Sequence, residues 1–182
     1  MRLVSTYRLV DAFADWGLHE APTRLQLKLP PGLQGVERIV TGAEVALTRR
    51  SPFAWRILAA WPIACFRIEL TAEDVPLTII ADGRLVSEWT DAVLRDNTPS
   101  GNHVRDLARS SNPVAGPLLC TSRRAQDTPA DSMIVDPPLV IFDGWHRAAA
   151  WIVQGREGRH YPIIANLVVT QHEAPLWRAE QG

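Results

Sequence analysis

The stretch that most restricts the fold of this chain is "PLVIFDGWHRAAAWIVQG" followed by "YPIIANLVV". "PLVIFD" is a continuous apolar run closed by Asp143-Gly144, the pattern of a buried strand meeting a turn. The segment from Gly144 to Gln154 then suits a helix, with Gly155 in the C′ position. Within it Trp145, Ala148, Ala149 and Ile152 stand at i, i+3, i+4 and i+7, which predicts a stripe facing a core. Tyr161–Val169 reads as a further strand. A strand–helix–strand unit is therefore expected in the last third of the chain.

Upstream, the apolar spacing of Val4–Trp16 predicts a short helix ended by Gly17. "RLQLKL" (24–29) alternates strictly and predicts a half-buried strand, stopped by Pro30-Pro31-Gly32. Further strands are expected within Val36–Leu47 and around Cys65–Leu70. "PLTIIADGRLV" predicts a strand, an Asp82-Gly83 turn and a short second strand. "SEWTDAVLRD" predicts a helix capped by Ser87, and "NHVRDLARS" another starting near Asn102. Residues 110–138, rich in Ser, Pro, Asp and Arg, predict a long loop of the kind that serves function or moves. The sum is an α+β fold with a small mixed sheet flanked by helices. One domain over 1–182 is expected, with 1–85 β-rich and 86–182 carrying the distinctive motif.

Bulk properties narrow the function classes. A chain of 182 residues with 7 Trp has room for a packed core. Its formal net charge of −1 gives no global field for nucleic acid, so any DNA contact needs a local basic patch. The apolar run "ILAAWPIACF" lies between Arg56 and Arg67 and is too short to span a membrane. The N-terminus has no signal-peptide pattern. Cys65 and Cys120 lack metal spacing and make no disulfide framework, which fits a reduced cytoplasm. His19, His103, His160 and His172 show no metal spacing either.

The candidate site is the junction Asp143-Gly144-Trp145-His146-Arg147. The first N–H groups of a helix lack internal partners, and the dipole places partial positive charge there. Gly144 permits close approach to the backbone, while His146 and Arg147 add side-chain donors, the physics of a phosphate-binding helix start. The plain alternative makes Asp143 an N-cap, Gly144 a turn residue and Arg147 a surface cation. Cations in a first turn oppose the dipole, however, so they call for a compensating anion or a nearby carboxylate.

With Phe142, Asp143, Gly144, His146, Arg147 and the small residues Ala148 to Ala150, the run resembles the ParB/sulfiredoxin superfamily over about residues 138–169. That resemblance implies nucleotide-phosphate binding by Gly144, His146 and Arg147, with ATP and Mg2+ as cofactors. It also implies that Asp143 orients a donor or approaches the metal, and that Asp143, His146 and Arg147 carry the chemistry. A second basic element should complete the pocket. Ser122, Arg123 and Arg124 in the long loop are the first candidates, whereas Arg105 and Arg109 are better explained by surface pairing with Asp106 or Asp96.

Trp145 stands where sulfiredoxins have their reactive Cys, so thiol repair chemistry is not expected. The chain is similar in size to stand-alone plasmid fertility-inhibition factors of the Osa type. This implies an ATP-hydrolysing, nuclease-like protein that acts on DNA and blocks conjugative transfer. One alternative is a nucleotide-sensing module that docks on a conjugation or secretion component through exposed Trp16, Trp89 or Trp177. Another is a small-molecule kinase with Asp143 or Glu157 as base.

Overall fold

The computed structural model describes residues 1–23, 25–49, 62–80, 83–110, 118–122, 139–170 and 174–175. Six strands form one mixed sheet: β1 (Arg2–Tyr7), β2 (Pro62–Leu70), β3 (Thr78–Ile80), β4 (Leu118–Ser122), β5 (Leu139–Asp143) and β6 (Ile163–Thr170). Their spatial order is β1-β2-β6-β4-β5-β3. β1–β2, β2–β6 and β4–β5 pair antiparallel, while β3–β5 and β4–β6 pair parallel. Among the described residues five α-helices accompany it: α1 (Leu9–Thr23), α2 (Gly35–Arg49), α3 (Val86–Arg95), α4 (Pro99–Arg109) and α5 (Trp145–Arg156). The α+β expectation therefore holds at the level of architecture.

Strand alternation builds a core on each face of the sheet. Phe66, Leu118, Cys120, Ile141 and Leu167 point to a core shared with Val86 and Trp89 of α3, Val104 of α4 and Ala148, Ala149 and Ile152 of α5. Their neighbours Cys65, Leu119, Phe142 and Val168 point the other way, onto Phe13 and Trp16 of α1 and Ala43 and Ala46 of α2. Ala148, Ala149 and Ile152 of the expected stripe are buried, and Trp145 packs at its margin.

The N-terminal third departs most from expectation. Its first residues pair as β1, and the helix starts only at Leu9 and runs through Gly17. Gly17 does not stop it, because its task is contact: a Cβ there would lie 1.9 Å from the Gly42 carbonyl oxygen of α2. The strand expected within Val36–Leu47 is instead α2. Ile39, Gly42, Ala43, Ala46 and Leu47 repeat at three and four residues on the inward side, and that period prevails over β-branching. The described part of "RLQLKL" has no strand partner, and Gln26 at φ 52° interrupts its extension. Among the described residues of 1–85 the two longest elements are helices, α1 and α2.

Further along, expectation and structure differ in detail. The turn after β3 forms, with Gly83 at φ 90° and the Ile80 N–H donating to the Arg84 carbonyl. The second strand shrinks to a single Ile79–Leu85 bridge before α3 begins. Leu85, not Ser87, is the α3 N-cap, and Thr98 caps α4 by accepting from the Gly101 N–H at 3.1 Å. α5 runs past Gly155 to Arg156.

Candidate functional site

β5 delivers Asp143 to its C-terminal end, and Gly144 at φ 96° turns the chain into α5. Gly144 is the N-cap, so Asp143 is not, and a glycine has no side chain to satisfy the first-turn N–H groups. The positive φ favours glycine, and so does space: a Cβ would stand 2.6 Å from Leu118 Cδ2 and 2.9 Å from Arg147 Nη2. The guanidinium of Arg147 is therefore folded back over Gly144.

Arg147 is not a surface cation. It is 7% exposed, and Asp143, 8% exposed, pairs with it at 3.4 Å. Burial lowers the affinity of Arg147 for its proton, while the charges of Asp143 and of Glu20 on α1 oppose that change. Glu20 is itself buried, 6% exposed. It reaches this place through Trp16, whose ring meets Phe142 edge-on at 6.3 Å. His19 and Glu20 follow Trp16 at i+3 and i+4, the same helix face one turn on. Burial and then the charge of Arg147 push the His19 imidazole below its usual value, with Asp143 pulling it back. Neighbouring carboxylates thus provide much of the compensation that a first-turn cation needs.

His146 faces away from this group. Its ring lies 5.5 Å from Trp89 of α3 and 5.2 Å from His103 of α4, both at steep angles. Trp145 packs edge-on against Trp89 at 5.8 Å and donates its indole N–H to the Ile141 carbonyl at 2.8 Å. His103 is exposed and His146 half-buried, so two imidazoles meet near the surface beside the start of α5. Sequence reasoning set His19 and His103 aside as isolated. Only tertiary packing brings either one near the motif.

Of the other candidates that are described, Arg105, Arg109 and Glu157 have their partners elsewhere. Arg109 makes an exposed ion pair with Asp106 at 3.6 Å, and Arg105 donates to Asn102 and to the Leu94 carbonyl. Ser122 ends β4, while Arg123 and Arg124 lie outside the described residues. Glu157 caps the far end of α5 beside Arg159. Trp16 and Trp89 are core residues, so neither offers an exposed docking ring, and Trp177 lies outside the described residues.

Cys65 and Cys120 are buried, and burial pushes both thiols up to about 12, far from reactive thiolates. Among the described residues no three His, Cys, Asp or Glu side chains gather as ligands for a metal ion. Asp143 offers one carboxylate. That fits magnesium only as one ligand among the phosphate and water oxygens a nucleotide brings. No helix among the described residues is long and apolar enough to cross a membrane.

The architecture defines a mixed six-stranded sheet with helices on both faces and a charged strand-to-helix junction. Compared with models of known families, with curated proteins and with solved structures, the chain matches none.

Proposed function

We propose that the start of α5 binds the phosphate of a nucleotide, with the first-turn N–H groups and the His146 imidazole as donors. The observation that supports this most is the pair His146 and His103, rings 5.2 Å apart beside an N-terminus capped only by Gly144. An anion seated there would meet the positive end of the helix. Arg147, held by Asp143, braces the first turn from behind. The resemblance to ParB/sulfiredoxin proteins adds the ligand class, ATP with magnesium, and names Asp143 as the carboxylate that would approach that ion.

On this reading the protein hydrolyses ATP and acts on DNA, with His146 donating to the phosphate and Arg147 holding the junction behind it. A role in limiting conjugative transfer belongs to the same proposal. Glu157 is a poor base for a kinase, because α5 spans about 18 Å at ~1.5 Å per residue between it and Gly144.

The test is calorimetric titration of ATP with magnesium, alongside phosphate release and plasmid nicking. Wild type should bind, and His146→Ala should weaken binding about tenfold or more, the cost of a charge-assisted hydrogen bond. The folding free energy of that variant should change by less than about 1 kcal/mol, because His146 is half-buried. Equal affinity in wild type, His146→Ala and His103→Ala would sink the site. Binding without turnover points to a nucleotide sensor, and phosphate transfer to an amino acid points to a kinase.

A further inference from the structure

His103 and His146 stand on different helices and meet near the surface where α4 lies against α5. Their ring centres are 5.2 Å apart, at an interplanar angle of 63°. The helices that carry them fix this spacing. Val104, next to His103, is fully buried in the core. Gln154 of α5 and Arg159 just beyond it both donate to the Ala108 carbonyl of α4, at 3.2 and 2.7 Å. Trp89 meets His146 edge-on at 5.5 Å and limits how its ring can turn. His103 is exposed, so solvent reaches the pair.

That separation suits two imidazoles that share a metal ion. Zinc lies roughly 2.0–2.1 Å from a ligating ring nitrogen, hence about 3.2 Å from the ring centre, and a tetrahedral angle then sets two centres about 5.2 Å apart. We infer that His103 and His146 form a two-histidine site for a divalent transition metal, zinc in the first place. Imidazole nitrogen suits zinc, whereas magnesium takes oxygen ligands. Among the described residues no third His, Cys, Asp or Glu joins the pair, so the remaining positions of the ion fall to water or to the oxygens of an anion. An anionic oxygen there offsets the unfavourable meeting of a cation with a helix start, since His146 is the second residue of α5.

The inference goes beyond the phosphate reading and does not depend on it. A neutral imidazole has one N–H and one lone pair, so ligation uses the nitrogen that donation does not. Edge-on packing of two rings gives a similar distance without any ligand. Metal affinity tells the two apart.

The experiment titrates zinc chloride, with no nucleotide present, into chelator-treated wild type, His103→Ala, His146→Ala and His160→Ala, read by calorimetry. Wild type and His160→Ala should bind one zinc per chain. Loss of His103 or of His146 should weaken binding about tenfold or more, since even a partner outside the ligand shell is worth about 10–100-fold. Magnesium should not compete. Zinc should also raise the melting temperature of wild type more than that of His103→Ala, through binding to the folded state.

Unchanged zinc affinity in His103→Ala overturns the inference, and so does a wild type that takes up no zinc at millimolar concentration. Binding lost in His160→Ala but kept in the other two variants places the metal elsewhere and also overturns it. If His146→Ala does not fold, His103→Ala decides, because that side chain is exposed and its removal spares the core. Zinc is titrated alone, so failure here leaves the ATP reading standing, and failure of ATP to bind leaves the zinc site standing.

Discussion

Arg147 and His146 are neighbours in sequence and opposites in environment. A helix turns about 100° per residue, so one residue falls on each flank of the α5 start. Arg147 is sealed between the sheet end and α1 with Asp143 and Glu20, whereas His146 meets Trp89 and His103 near the surface. One flank fixes the geometry and the other offers donors. The lesson is that a motif of five residues divides its labour by helix angle, and a His-Arg pair does not have to grip one ligand together.

Breaking the buried flank should have the largest effect. Arg147→Ala leaves the buried Asp143 without its cation and should cost about 3–5 kcal/mol of folding free energy, read by urea denaturation. A loss below about 1 kcal/mol would mean the two flanks do not differ. Gly144→Ala should cost about 2–4 kcal/mol, combining a left-handed residue with contact against Leu118 and Arg147. Arg147 is the flexible neighbour at that position and Leu118 the packed one, so relief should come from displacing the guanidinium.

The smallest effect is a pH slope from His19. Its folded-state proton affinity is lowered from 6.5. The unfolded chain therefore binds the proton first, and stability should fall as pH drops below about 6.5 toward the folded value. Denaturation midpoints of wild type and His19→Gln should diverge between pH 7.5 and 5, with wild type losing more as pH falls. Parallel curves would place His19 outside the buried group.

What was legible in the sequence follows from how local each signal is. β5, α5 and β6 could be read because the 3.6-residue stripe of α5 and the apolar run of β5 lie in one window. The handover at Asp143-Gly144 was readable for the same reason. The helical hairpin at the N-terminus was misread, since Gly17 looks like a stop until Gly42 is seen opposite it. Strict alternation in "RLQLKL" suggested a strand, but a strand needs a partner, and no local pattern supplies one. Glu20 and His103 gave no signal at all. Their relevance exists only once α1 lies against β5 through Trp16 and Phe142, and α4 lies against α5.

The crossing of the first two helices also limits how this chain can change over evolutionary time. At Gly17 the obstruction is the Gly42 carbonyl, and at Gly42 it is the Ala14 carbonyl at 2.5 Å, so main chain blocks growth at both positions. A rotamer change elsewhere cannot make room. The two glycines are frozen as a pair, while outward positions of the same hairpin, such as Val36 and Val40, stay open to drift.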